Sequence, residues 1–402
     1  MAFFAGLRGT GSFGADERPK NFREMILWMN PNGSAPLFAL TSKAKTEKVD
    51  DPEFAWWEEV NSICRLTLNG AIANNGVTNF VVVAGALQLI PGDVLQVEAA
   101  TEVAAYSNEI VRVVSVQSDT AFTVLRQQSG TSGGAINDGI SLTRIGNAQS
   151  EGNRSIASSS TNPEKFRNYC QIWKTPYQIS KTALGTKFRT GDPKKNEQRR
   201  KSFQHSEKIE QALLWGVPHE TVDAANNNMP IRFTGGLRNF ITSHRTVFTA
   251  DPTEDTFLDA VYQLFDYDAG GAGDERIVFA GNRALNTLNK IAKNANNSRV
   301  NFDKVVEFYG MKLQRWIIPQ GTLYVKSHPL MNVHPVYSAS MFVVNPSGII
   351  YRPLTGRDTK LEKDIQENDA DYVKDQWLTE AGFEFHHERT MGYIGAFHLD
   401  HQ

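Results

Sequence analysis

Cysteine is nearly absent: Cys64 and Cys170 are the only two in 402 residues. That is too few for a disulfide scaffold or a thiolate zinc site, and their spacing matches no metal motif. A reducing, cytosolic setting fits them and disfavours a functional disulfide. Charge of one sign is also missing, since 42 Lys and Arg stand against 44 Asp and Glu, for a net charge of −2. Tight non-specific binding to nucleic acid draws on a basic balance that releases counterions, and this chain lacks it. No run of about 18 apolar residues occurs, which excludes a membrane-spanning helix. The start, Met1-Ala2-Phe3-Phe4-Ala5-Gly6-Leu7-Arg8, has neither a charged leader nor an apolar core of about seven residues, so it does not read as a secretory signal. No internal repeat is visible.

What remains is the composition of an ordinary globular protein, 40% hydrophobic and 21% charged, of a length that predicts two or three compact units. Residues 1–50 are rich in Gly, Asn, Pro, Lys and Ser without sustained periodicity, which reads either as a frayed terminus or as an arm that orders on a neighbouring molecule. Asp51-Pro52-Glu53-Phe54-Ala55-Trp56-Trp57-Glu58-Glu59-Val60 reads as a helix start, with Pro in the first turn and acids near the positive end of the dipole.

From Ile63 to Gly146 the rhythm changes to short apolar runs, Phe80–Val83, Asp93–Val97, Ile110–Val116 and Phe122–Leu125. Turn signals such as Pro91-Gly92 and Asn137-Asp138-Gly139 separate them, as in a small antiparallel β-domain. Arg65-Leu66-Thr67-Leu68 and Gln171-Ile172-Trp173 flank this domain; paired as a hairpin, they would carry it at the tip of a β-arm and bring Cys64 and Cys170 near each other.

A long helix is expected from Asp192-Pro193 to Gly216, with a polar first half and a second half able to pack. Beyond it the order is α/β. A helix opened by Asp251-Pro252-Thr253-Glu254 presents Phe257, Leu258, Val261, Leu264 and Phe265 on one face, and strand Arg276–Ala280 follows. A second helix, capped by Asn282, carries Leu285, Leu288 and Ile291. Strand-like runs follow at Met311–Ile318, Thr322–Val325, Met341–Val344 and Phe383–Phe397.

Motifs suggestive of catalysis or cofactor binding fail on context. Gly9-Thr10-Gly11-Ser12-Phe13-Gly14 fits a dinucleotide-binding pattern but lacks the strand and helix that aim its amides at a pyrophosphate. Gly130-Thr131-Ser132-Gly133-Gly134 resembles a nucleophile elbow but leads into a turn rather than a helix. Asp266-Tyr267-Asp268-Ala269-Gly270-Gly271 opens like a calcium loop, but its twelfth position is Ile277 where a bidentate Glu belongs. His386, His387 and Glu388, with His328 and His334, supply imidazoles, but neighbouring side chains on a strand face opposite ways, so these read as solvated or interface histidines. No metal, cofactor or catalytic residue is therefore assigned. The one concentrated basic feature is Lys194, Lys195, Arg199, Arg200 and Lys201, read as a solvated helix face, an inter-subunit contact or a lumen-facing surface near packaged DNA.

Several stretches, taken in order, resemble tailed-phage major capsid proteins of the Hong Kong 97 fold that carry a β-rich insertion. They are Gln171-Ile172-Trp173 with Ile179-Ser180-Lys181-Thr182-Ala183, then Glu207–Gly216, Gly235-Gly236-Leu237, and Asp369-Ala370-Asp371 through Glu388–Tyr393. The resemblance implies an α+β chain divided into an N-terminal arm (1–50), the start of a peripheral domain (51–62) and an extended loop (63–185) with the β-insertion at about 70–148. A spine helix in the peripheral domain (186–229), an axial domain (230–345) and a return to the peripheral domain (346–402) complete it. It also implies self-assembly into hexamers and pentamers of an icosahedral shell in the host cytoplasm, with portal, scaffolding and decoration proteins as further partners, non-specific contact with packaged DNA and no membrane. One departure is the lack of an acidic or helical pro-segment at the start. The rival readings are a tail or baseplate structural protein and an α/β hydrolase-like enzyme.

Overall fold

The computed structural model describes residues 45–59, 64–74, 76, 78–98, 109–128, 130, 134–152, 162–250, 252–267, 275–294, 305–308 and 311–397. The dinucleotide-like pattern at 9–14, Ser132, and 268–274 of the calcium-like loop lie outside them. The chain forms two compact units, Trp57–Lys165, and Met1–Trp56 with Phe166–Gln402.

Strand β1 (Glu53–Glu58) occupies the place where the acids and Pro52 suggest a helix. Phe54 and Trp56 are both buried while Ala55 and Trp57 are exposed. Only a strand sends residues two apart to the same side, and burying two aromatic rings outweighs the helix-start signals.

In the unit 57–165, β2 (Arg65–Thr67), β3 (Asn79–Val81), β4 (Asp93–Val97), β5 (Ile110–Ser118), β6 (Ala121–Leu125) and β7 (Ser141–Asn147) form one sheet in the order β2-β7-β4-β5-β6-β3. Every pairing in it is antiparallel. Alternate residues point inward, so that Phe80, Leu95, Val111, Phe122, Val124 and Leu142 are fully buried together, each contributing about 1.5–3 kcal/mol. Gly92 and Gly139 sit in the two turns at φ +97° and +77°, a region that costs other residues strain. Arg126 is a buried strut: its guanidinium donates to both Glu109 oxygens at 2.7 and 2.6 Å and to the carbonyls of Asn74 and Gly134 at 2.6 and 2.7 Å.

Strand β8 (Glu164–Tyr169) pairs with β1 in a two-stranded sheet, and β9 (Gln171–Ser180) begins a separate four-stranded sheet of the other unit. Next come α1 (Lys181–Gly185), α2 (Pro193–Trp215), the hairpin β10 (His219–Asp223) with β11 (Met229–Phe233), α3 (Leu237–Phe240), β12 (Arg245–Val247) and α4 (Glu254–Val261). Then follow β13 (Glu275–Ala280), α5 (Asn282–Asn294), β14 (Val305–Phe308), β15 (Met311–Ile318), β16 (Gly321–Ser327), β17 (Met341–Val344), β18 (Ile349–Pro353), β19 (Lys360–Glu362), β20 (Tyr372–Phe385) and β21 (Gly392–Gly395). The architecture is α+β.

The expected hairpin between 65–68 and 171–173 does not form, because β2 pairs with β7 and β9 pairs along ten residues of β20. Both cysteines are free and buried, Cys64 in the core of the unit 57–165 and Cys170 in a cluster with Val49, Phe54 and Trp56.

A seven-stranded mixed sheet runs β12-β21-β17-β13-β16-β15-β14. Its central strands are apolar on both faces, as sheets covered on both sides require. Ile277, Phe279 and Phe342 face a core shared with α2, while Val278, Met341 and Val343 face Phe257 and Val261 of α4 and Ala284 and Leu288 of α5. Helix α4 begins with a capping box between Thr253 and Thr256. The single strand-like run read at 383–397 is divided. His387 takes φ +56°, which ends β20 and lets β21 enter the seven-stranded sheet beside β17.

Candidate functional site

Helix α2 is where the chemistry of the chain concentrates. Asp192 caps it, accepting from the Lys194 and Lys195 amides at 2.9 and 3.4 Å, and Pro193 fills the first turn, where its missing N–H costs nothing. Its second half buries His205, Ile209, Glu210, Leu213 and Leu214, which matches the expectation that only this half packs.

The sheet beneath presents Trp173, Thr175 and Tyr177 from β9 opposite Thr379, Trp377 and Asp375 from β20. Directly opposed residues of an antiparallel pair share a face, so four polar groups lie among them under the helix. His205 reaches two of these: its Nδ1 is 3.0 Å from Thr175 Oγ1 and its Nε2 is 2.7 Å from Thr379 Oγ1. Burial, followed by the nearby Lys208 charge, lowers its pKa to about 4, so the ring is neutral and each nitrogen can be satisfied by a hydroxyl.

Asp375 is fully buried and accepts from Tyr177 Oη at 2.8 Å and the Asp364 amide at 2.9 Å, with Lys194 Nζ at 3.1 Å. Burial works to raise its pKa, but these donors outweigh it and hold the carboxyl below its usual range. Burial, then the bond to Asp375, pushes the Tyr177 phenol up. Nearer the C-terminal end, Glu210 Oε1 lies 2.6 Å from His328 Nε2, with neither side chain exposed. Here the reading of His328 as solvated or at an interface is corrected: its ring is enclosed and stands edge-on to Phe279.

The helix ends at a close backbone crossing. The Gly236 amide donates to the Gly216 carbonyl at 2.9 Å, and a Cβ on Gly216 would lie 2.3 Å from Thr234 O and 2.5 Å from Ala212 O.

The five basic residues do not form one face. Lys194 turns inward to Asp375, Arg200 pairs with Glu197 at 2.8 Å, and Lys201 donates to Gln204 at 3.1 Å. Lys195 and Arg199, one turn apart, line a groove of about 530 Å³ with Ser202, Ser206 and the Phe203 and Trp377 rings. Sequence reasoning found the cations but missed Asn168, Tyr177, His205, Glu210 and Asp375. The available signal for Thr175 and Tyr177 was their place in the inward two-residue alternation with Trp173.

A second exposed feature is the β10–β11 hairpin, which among the described residues forms a two-stranded sheet with no third strand. It leaves Val222, Met229, Ile231 and Phe233 between 40% and 59% exposed. Among the described residues, no three His, Cys, Asp or Glu side chains come together to hold a metal ion, and no helix is long and apolar enough to cross a membrane.

The major capsid protein of Pseudomonas phage PaMx41 is 23% identical over 370 residues, spanning 90% of this chain and 85% of that protein. Among solved structures, the cyanophage A-1(L) capsid asymmetric unit aligns with a TM-score of 0.47 at 9% identity, over 96% of this chain and 97% of that one. Mycobacterium phage Bobi aligns with a TM-score of 0.45 at 9% identity, over 95% and 96%. The family model for SU10 major capsid protein matches residues 7–397, and the chain therefore belongs to the SU10 major capsid protein family as a phage major capsid protein.

Proposed function

We propose that copies of this chain build the hexamers and pentamers of a Hong Kong 97-type icosahedral shell around the double-stranded DNA of a tailed phage. The observation that carries the self-assembly reading is the β10–β11 hairpin. An isolated two-stranded ribbon is marginal in water, and this one keeps four large apolar side chains exposed. A second copy of the chain is the cover it awaits. Closed symmetric assembly multiplies contacts that are weak singly, and segments that gain their burial between molecules suit that work.

In this reading residues 1–50 are an arm lying on a neighbour, 63–185 an extended loop with an inserted β-domain at about 70–148, 186–229 the spine of a peripheral domain begun at 51–62, and 230–345 the axial domain, with 346–402 returning to the peripheral domain. The cluster Lys194, Lys195, Arg199, Arg200 and Lys201 serves contacts between subunits, since the net charge of −2 does not favour phosphate. Assembly takes place in the host cytoplasm, and portal, scaffolding and decoration proteins are the further partners.

Negative-stain microscopy of the purified chain tests the reading: shells are expected, whereas tubes or rings would indicate a tail or baseplate protein and discrete small oligomers an unrelated role. Deleting residues 1–40 is expected to leave a folded subunit, with an unchanged circular dichroism spectrum, that forms no shells.

A further inference from the structure

The groove beside α2 and the loop joining β19 to β20 are complementary. The groove, about 530 Å³, sets Lys195 and Arg199 beside the Trp377 and Phe203 rings. The loop, residues 363–371, carries Asp364, Glu367, Asp369 and Asp371 against a single Lys363, and among these acids Ile365 is 36% exposed. Its backbone is fixed rather than loose: the Asp364 amide donates to Asp375 Oδ1 at 2.9 Å, Ile365 N to Lys374 O at 2.8 Å and Ala370 N to Glu367 O at 3.1 Å. These bonds tie the loop to β20 of its own chain and present it as a preformed knob, so little ordering is lost when it binds.

We propose that the 363–371 loop of one copy seats in the α2 groove of a second copy, Ile365 against Trp377 and Phe203, with Glu367 and Asp369 facing Lys195 and Arg199. The inference rests on the self-assembly reading and names one of its contacts. Each copy carries both halves, so the contact repeats from copy to copy and can close on itself. A phosphate backbone would match the positive charge of the groove but not its aromatic wall, whereas the loop supplies carboxylates and an isoleucine together.

The test uses the full-length chain. Lys195→Glu with Arg199→Glu, and separately Glu367→Lys with Asp369→Lys, are each expected to lower shell yield roughly tenfold, the effect of two rim ion pairs turned repulsive. The chain carrying all four changes should regain it. Independently, Ser202→Cys combined with Ile365→Cys should give disulfide-linked chain multimers from oxidised particles on a non-reducing gel, and neither single change should. Shells at wild-type yield from either reversed pair, no recovery in the fourfold variant, or only monomer bands from the double cysteine chain would each overturn the proposal. Normal shells that fail to retain DNA when Lys195 and Arg199 are reversed would overturn it in favour of a nucleic-acid surface. If the unsubstituted chain forms no shells at all, the self-assembly reading fails instead, and the disulfide result still decides the loop-groove contact in whatever oligomer exists.

Discussion

Asn168 and Gly235 hold each other twice. The Asn168 amide nitrogen donates to the Gly235 carbonyl at 3.2 Å, and its oxygen accepts from the Gly235 amide at 2.7 Å. The same side chain donates to Phe383 O at 2.7 Å and accepts from its neighbour Tyr169 N at 2.9 Å, which joins β8, the approach to α3 and β20 through one fully buried group. Replacing Asn168 by Asp keeps the shape but turns two donated bonds into contacts between oxygens. A loss of about 2–4 kcal/mol is expected, read as a lower urea midpoint at pH 7, with Asn168→Ser less harmful than Asn168→Asp. Equal stability of the Asp variant and the parent would show that the group is not confined as described.

The neutral His205 gives the subunit a pH dependence whose sign is fixed. Its folded pKa, about 4, lies below the unfolded value of about 6.5, so between these pH values the unfolded chain binds more protons. Stability from this group is therefore complete above about pH 6.5 and falls as the pH drops toward 4. The expected loss is on the order of 2–3 kcal/mol, since charging the ring places a cation in a buried site and beside Lys208. Comparing denaturant midpoints of the parent and His205→Gln from pH 7.5 to 4.5 isolates it: the parent should lose more stability on acidification. Parallel curves would contradict the assignment.

Much of the fold was legible in the sequence where one signal acted alone. Helix α2 runs from Pro193 to Trp215 because Asp192-Pro193 and Gly216 mark its two ends, and β4 falls on Asp93–Val97 because its alternation is clean. Reading failed where two signals competed. Pro52 and the acids announced a helix, but the aromatic alternation of Phe54 and Trp56 prevailed. It failed again for long-range pairing, since nothing local tells Arg65–Thr67 to choose β7, or Gln171–Ser180 to choose β20, over each other. Glu210 and His328 lie 118 positions apart, and their meeting is a property of the packed core. Lys194 and Lys201 were recognisable as cations, but their inward and sideways partners were not.

The crossing of Gly216 and Gly236 predicts a sharp intolerance. Neither glycine takes a positive φ, so the demand is for space alone. An alanine methyl at 216 would stand 2.3 and 2.5 Å from two carbonyl oxygens, and one at 236 would stand 2.5 Å from Ala212 O and 2.7 Å from Leu213 O. Backbone cannot yield as a side chain can, so Gly216→Ala is expected to cost about 3 kcal/mol or more. Gly185→Ala, where nothing lies within 4 Å, should be neutral or slightly stabilising. The comparison is a thermal melt of the two variants side by side, and similar melting temperatures would refute the crowding argument.

The buried pair of Glu210 and His328 decides how α2 is held against the seven-stranded sheet, and its two halves should not be separable. Removing a single partner leaves a polar group enclosed, and His328 Nδ1 already has no hydrogen-bond partner among the described residues. Glu210→Ala or His328→Ala should therefore each cost about 3–5 kcal/mol, more than deletion of a solvent-exposed pair such as Arg200 with Glu197, which should cost under about 1 kcal/mol. Replacing both at once, Glu210→Leu with His328→Phe, removes the polar demand on both sides. The double variant is then expected to be more stable than either single alanine variant and close to the parent. A double-mutant cycle built on Glu210→Ala and His328→Ala, followed by urea unfolding, measures the coupling directly. Strict additivity of the two losses would mean that the 2.6 Å contact contributes nothing to holding the helix, and that Ile209, Leu213 and Leu214 alone anchor it.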